Sequence, residues 1–226
     1  MNATVAQSLP RTSADDPHRL GHTGHGGSGA TTGHGKGGAE AKRVIVGFGF
    51  WIFLLSDIVM FSAIFATYAV LQGATAGGPA ARELFDLHNV AIETGCLLLS
   101  SFTCAMAMIA AQARSTFWTQ LGLVVTGVLG AIFLFLEVRE FAGMIARGAG
   151  PDRSAFLSSF FTLVGCHGLH VTCGLLWLGT MMAQIAARGF RDNIMRRLLC
   201  FSLFWHALDI IWVALFTIVY LLGAGQ

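Results

Sequence analysis

Along this chain, apolar and polar positions segregate into blocks rather than alternating. From Val44 onward five long apolar runs follow one another, at about 44–72, 89–111, 117–143, 155–186 and 196–223. Each holds the roughly 20 mostly apolar residues that a helix needs to cross a hydrocarbon core about 30 Å thick. The strict two-residue alternation of a membrane β-barrel is absent, and no internal repeat is evident. The pattern predicts an all-α integral membrane protein, a bundle of five transmembrane helices over residues 44–226. The connections are short. The longest is "GATAGGPAARELFDLH", and the others centre on "QARST", "RGAGPDRS" and "ARGFRDNIM". No extramembrane segment is large enough for a separate active site, so any function lies in the bundle or in what it binds.

Composition agrees. The 226 residues are 54% hydrophobic and 12% charged, where a soluble domain carries about 25% charged residues. The mean hydropathy is +0.66. A net charge of +2 gives no reason to invoke nucleic acid. The placement of the basic residues is more informative than their sum. With the N-terminus inside, the cytoplasmic segments hold Arg11, Arg19, Lys36, Lys42, Arg43, Arg114, Arg188, Arg191, Arg196 and Arg197, while the outer loops hold Arg82, Arg147 and Arg153. Ten against three predicts a cytoplasmic N-terminus and a periplasmic C-terminus. Trp118 and Tyr220, near span ends, fit interfacial anchors.

Residues 1–43 form a region of their own. The stretch "HRLGHTGHGGSGATTGHGKGG" is almost free of apolar residues. It cannot bury enough surface to offset its ordering entropy and reads as a disordered cytoplasmic tail. It lacks the apolar core of a secretory signal. His18, His22, His25 and His34 could hold a transition metal loosely, but a solvated flexible tail is the better account of them.

Ionisable residues inside spans are costly and normally face protein. Here they are Asp57, Glu93, Glu137, Arg139, Glu140, His167, His170, His206 and Asp209. At 1.5 Å per residue, Asp57, His167, His170, His206 and Asp209 each fall about 15–22 Å into their spans, which predicts a shared layer near the bilayer midplane. Glu93 and Glu137 fall nearer the outer side. His206 and Asp209, at i and i+3, are candidates for a mutual hydrogen bond, and each imidazole could also bond to Asp57, Asp209 or a backbone carbonyl.

The stretch "VGCHGLHVTCG", residues 164–174, packs two histidines and two cysteines into eight residues. Cys166, His170 and Cys173 share one stripe of a helix. Cys166 and Cys173 stand about 10 Å apart along it, too far for a disulfide. All five cysteines, Cys96, Cys104, Cys166, Cys173 and Cys200, read as small buried apolar residues. A structural zinc site wants four ligands, and one helix does not supply them, so no metal site is expected. Gly165, Gly168 and Gly174 flank the histidines, and small residues let membrane helices approach closely. The stretch therefore reads as a close-packed, hydrogen-bonded midsection rather than a metal site or a continuous proton path.

These residues carry a resemblance. "FWIFLLSDIVMFSAIFATYAVL", "GPDRSAFLSSFFTLVGCHGLHVTCGLLW" and "LFWHALDIIWVALFTIVYLLGA" resemble subunit III of the haem–copper oxidases. The five-span form with a His-rich tail is similar to the cytochrome o ubiquinol oxidase branch. The resemblance covers residues 44–226, with HGxHV and the Trp-His pair and Asp of "WHALDIIW" as its specific motifs. It implies a non-catalytic subunit of a proton-pumping terminal oxidase in the bacterial inner membrane. Haems and copper would then belong to the partner subunit I, with no cofactor in this chain. Subunit III would pack on subunit I and stabilise it, hold phospholipids and support proton uptake. The cytochrome c oxidase branch usually has seven spans and a Glu where this chain has Asp57, the position of the family's carbodiimide-reactive carboxyl. Two other readings stand beside this one: subunit III of a cytochrome c oxidase, and a small membrane transporter or metal channel. The latter would call for inverted repeats or Gly/Pro-broken spans, whereas all four prolines lie outside the spans.

Overall fold

The computed structural model describes residues 39–75 and 87–221, so His18, His22, His25 and His34 lie outside the described residues. Within these limits the chain is helical throughout: α1 (Ala39–Leu71), α2 (Leu87–Gln112), α3 (Thr116–Ala146), α4 (Ala155–Arg188) and α5 (Asp192–Leu215), the last continuing into a π-helical turn, Phe216–Leu221. All five are long and apolar enough to cross a membrane. The third helix runs on to 146 and the fifth begins at 192, each outlasting its apolar run by a few residues. Hydropathy marks where a helix crosses hydrocarbon. Backbone hydrogen bonding continues into the polar interface beyond it.

The turns are tight and locally determined. Between α3 and α4, Gly148 takes a positive φ of 72°, and the Ser154 hydroxyl accepts from Leu157 N at 3.2 Å, capping α4. Gly189, at φ 65°, closes α4; with no Cβ it adopts this left-handed conformation without steric cost. The amide of Phe156 donates to the carbonyl of Ala74 at 3.3 Å, which ties the end of α1 to the start of α4.

The helices differ sharply in burial. Within the most apolar window of each span, 61% of the α5 positions are buried inside the bundle but only 11% of the α1 positions. α5 is the central post, and α1 leans on α4 and α5 from one side. Trp205 of α5 shows what holds the post. A methyl placed on Gly130 of α3 would come within 2.8 Å of its Cη2, and one on Gly174 of α4 within 2.9 Å of its Cζ3. The indole thus occupies space that two glycines leave open, while its Nε1 donates to Ser100 Oγ of α2 at 3.0 Å. α2 and α3 pack just as closely, with a methyl on Gly122 reaching Ala107 Cβ at 2.8 Å. In lipid, where tails are as apolar as the side chains, such close approach and interhelical hydrogen bonding are what drive association.

Candidate functional site

The polar residues of the spans resolve into two groups. The first is a seam between α2 and α5, in which small hydroxyl residues of α2 meet the aromatic face of α5. Trp212 Nε1 donates to Thr94 Oγ1 at 3.0 Å, and Trp205 Nε1 to Ser100 Oγ at 3.0 Å. Ser101 Oγ and His206 Nδ1 lie 2.5 Å apart. Thr94 and Ser100 are themselves tied to carbonyls of their own helix, Val90 and Leu97. Thr103 extends the seam to Thr126 of α3 at 2.8 Å. Trp205 and Trp212 are seven residues apart, two turns along one face, and their partners on α2 recur at nearly the same interval.

His206 therefore bonds across the bundle to Ser101, not along its own helix to Asp209. The hydroxyl of Ser101 also faces Asp209, yet neither carboxylate oxygen reaches a hydrogen-bond partner among the described residues. Asp209 is 6% exposed and lines a lateral groove with Leu98, Ser101, His206, Ile210 and Val213. A second, apolar groove of about 480 Å³ opens beside it between α1 and α5, walled by Trp51, Phe61, Phe65, His206 and Ile210 among others.

Among the described residues, the histidines of α4 make no bond to an aspartate. His170 Nδ1 lies 2.8 Å from the carbonyl oxygen of Cys166, one turn back on the same helix. His167 is fully buried, and neither ring nitrogen has a partner among the described residues. Its ring is enclosed by Phe61, Phe133 and Trp212, with centroids 6.4, 5.8 and 5.1 Å away. Asp57 is half-buried on α1, within electrostatic reach of Cys166. The depth that Asp57, His167, His170, His206 and Asp209 are expected to share does not make them one hydrogen-bonded cluster: among the described residues His170 pairs with the Cys166 carbonyl, His206 with Ser101, and the His167 ring nitrogens and the Asp209 oxygens with nothing. Among the cysteines only Cys104 and Cys200 are buried; Cys96 and Cys166 are intermediate and Cys173 is exposed. Among the described residues, no three His, Cys, Asp or Glu side chains converge on a position that could hold a metal ion.

The second polar group lies towards the end of the bundle where α1 and α3 finish and α2 begins. Glu93 of α2 and Glu137 of α3 are 1% and 3% exposed. Glu140, three residues on, is half-buried beside them, and each of the three lies within electrostatic reach of the others. Tyr220, on the π-helical turn, is within reach of all three carboxylates and of Tyr68 from α1. Tyr220 is thus an interior residue, 1% exposed, and not an interfacial anchor. Trp118, 63% exposed at the start of α3, does lie on the outside of the bundle. Gly168 makes room for the acids. A methyl there would stand 2.8 Å from Glu137 Oε1 and 3.1 Å from Oε2. The sequence signals were the i, i+3 pair of Glu137 and Glu140 and the matching depth of Glu93; the part played by the tyrosines carried no signal.

Residues 30–224 match the family described as cytochrome c oxidase subunit III. The chain is 53% identical over 177 residues to cytochrome bo(3) ubiquinol oxidase subunit 3 of Pseudomonas aeruginosa, covering 78% of this chain and 85% of that one. It is 43% identical over 186 residues to the protein of the same name from Buchnera aphidicola, covering 82% and 89%. It is 41% identical over 204 residues to quinol oxidase subunit 3 of Bacillus subtilis, covering 90% and 98%.

Proposed function

The chain belongs to the cytochrome c oxidase subunit III family, and from that premise we propose that it is the accessory third subunit of a quinol oxidase. The observation that carries this reading is the run of relatives named as ubiquinol or quinol oxidase subunit 3, matched over most of both chains. In such a complex, quinol oxidation is coupled to reduction of oxygen to water, and the haems and copper reside in subunit I. The role of this chain is structural: it packs on subunit I, stabilises it and supports proton uptake. Its place is the bacterial cytoplasmic membrane, N-terminus inside and C-terminus on the periplasmic side, as the ten-to-three division of basic residues favours.

Two features of the bundle support the partner. The Asp209 carboxylate at mid-span has no hydrogen-bond partner among the described residues and lines a lateral groove. Facing lipid it would be expensive, whereas a helix of subunit I could supply a donor. The outer faces of α1 are also strongly apolar, with Phe48, Trp51, Ile52, Phe53, Val59 and Val70 exposed, as a helix set against a neighbour or lipid requires. A phospholipid finds matching chemistry at the other end of α1. There a cleft of about 400 Å³ is lined by Val46, Phe50 and Trp177 together with Asn193, Arg196 and Arg197. Apolar walls suit an acyl chain, and guanidinium groups suit a phosphate.

The test is purification of the tagged chain in mild detergent. Haem absorbance, quinol-dependent oxygen consumption and larger co-purifying subunits are expected. A colourless assembly of this chain alone would overturn the reading. Activity with reduced cytochrome c but not with quinol would move it to the other branch of the family.

A further inference from the structure

α5 is the most buried helix of the bundle, yet it keeps one stripe open. Between Leu203 and Ala214 the positions that are not buried are Leu203, His206, Ala207, Ile210, Val213 and Ala214, and every other residue of that stretch is buried. They follow the i, i+3, i+4, i+7 spacing of a single helix face. The flanking helices explain why this face is uncovered. α1 and α2 follow one another in the chain, but each packs on α5 and not on the other. On the α1 side, the groove of about 480 Å³ is walled by Phe61, Phe65 and Ala207 among others. On the α2 side, the groove that Asp209 lines, of about 350 Å³, is walled by Leu98, Ser101 and Val213. His206 and Ile210 border both grooves. The two are therefore the flanks of one slot between α1 and α2, with the α5 stripe as its floor. Ile210, 71% exposed, stands at the centre of that floor.

The slot is apolar except at one depth. Asp209 borders it, 6% exposed, and neither carboxylate oxygen has a hydrogen-bond partner among the described residues. At 1.5 Å per residue, Asp209 stands about 25 Å along the helix from Asp192 and about 18 Å from Leu221. An acceptor without a donor at that depth is costly, and the demand for a donor selects the occupant. An acyl chain suits the walls but carries no donor, and its headgroup stays at the interface, about 15 Å from the midplane. A second copy shares the same orientation in the membrane, so a two-fold contact through the slot would set Asp209 level with its own image, acceptor against acceptor. Of the remaining sequence, residues 1–38 are too polar to lie in hydrocarbon and residues 76–86 too few to cross it. A transmembrane helix from another chain meets both demands. Its apolar side chains seat in the grooves on either side of Ile210, and one polar side chain brings an N–H or O–H to the level of Asp209. Ala207 and Ala214, two turns apart on the floor, let its backbone approach closely.

We propose that the slot between α1 and α2 seats one transmembrane helix of a partner subunit, and that a side-chain donor on this helix pairs with Asp209. This assignment rests on reading the chain as a subunit of an oxidase complex, and it fixes which face of the bundle makes the contact and what chemistry the partner presents there.

The experiment uses the intact complex with an aliphatic diazirine amino acid, close to isoleucine in size, at position 210. On illumination it should label a single apolar segment of a larger co-purifying subunit. Labelling confined to lipid, or to a second copy of this chain, would overturn the slot. Retention of the chain, measured against haem, is the second readout. Ile210→Trp fills the slot and should lower retention about tenfold or more, whereas Ile210→Ala leaves it open and should keep most of the chain in place. Asp209→Leu removes the acceptor and should also cost about tenfold. Asp209→Asn keeps an acceptor oxygen and should recover most of that loss. Equal retention of the two Ile210 variants, or equal retention of the two Asp209 variants, would overturn the proposal. The labelling result decides if Ile210→Trp fails to accumulate in the membrane. The parent chain separates the slot from the reading it rests on. A parent that purifies without haem or larger subunits overturns both, and a parent that keeps them while position 210 labels lipid alone overturns only the slot.

Discussion

The α2–α5 seam and the carboxyl group near the end of the bundle are both polar regions inside an apolar helical protein, and they are built in opposite ways. In the seam, hydroxyls and indoles are matched in pairs: Thr94 with Trp212, Ser100 with Trp205, Ser101 with His206. Every group there is uncharged or can be neutral, and each bond fixes the rotation of α5 against α2. In the carboxyl group, like meets like, and Glu93, Glu137 and Tyr68 each leave a buried polar atom without a hydrogen-bond partner among the described residues. A satisfied network specifies a structure, whereas a partly satisfied one is costly unless it does something. The contrast separates what holds the bundle together from what the bundle holds.

The sharpest way to break the seam is Trp205→Ala. It empties the space that Gly130 and Gly174 leave for the indole and removes the donor to Ser100. A loss of about 3–5 kcal/mol is expected, read as early loss of this chain in a denaturing-detergent titration of the complex. Gly168→Ala addresses the carboxyl group through a glycine that touches it. The added methyl would press on Glu137, and overpacking costs about 1–3 kcal/mol. Glu137→Asp, with a shorter side chain, should relieve much of that loss in the double variant. Strict additivity would mean that Glu137 does not lie over Gly168. The smallest effect is expected from Ser101→Ala, about 0.6 kcal/mol if it behaves as an average interhelical hydrogen bond in a membrane. Combined with His206→Leu it should cost less than the sum of the two, while His206→Leu with Asp209→Leu should come closer to additive. A stronger coupling within the second pair would restore the His206–Asp209 bond that their spacing suggested.

Much of this architecture was legible in the sequence, for identifiable reasons. Apolar run length alone located five spans, because hydrocarbon thickness imposes it. The glycines around His167 and His170 foretold close packing, and Gly168 and Gly174 are indeed where Glu137 and Trp205 come nearest. Depth could be counted from the sequence but rotation could not. Counting along the spans puts His167, His170, His206 and Asp209 at one depth, yet which way each faces is decided by neighbouring helices. The α4 histidines turn towards Phe61, Phe133 and their own backbone, and His206 turns towards a serine 105 positions earlier in the chain. Ser101 is one of several hydroxyls on α2, with nothing in its local sequence to single it out.

The π-helical turn at Phe216–Leu221 changes the phase of the end of the chain. Each wide turn closes its hydrogen bond one residue later than an α-turn does, so residues beyond it are displaced around the helix axis by a share of the roughly 100° that separates neighbours. A regular helix drawn from Asp192 onward would therefore assign Tyr220 to a different face from the one it occupies. Read as a ruler, α5 contains a slipped mark. Its first part sets the seam with α2 and its last turn is re-indexed to bring Tyr220 to the acids. Deleting one residue between 216 and 219 would leave Trp205, His206 and Trp212 in register and turn what lies beyond the deletion, Tyr220 included, uncoupling the two polar regions.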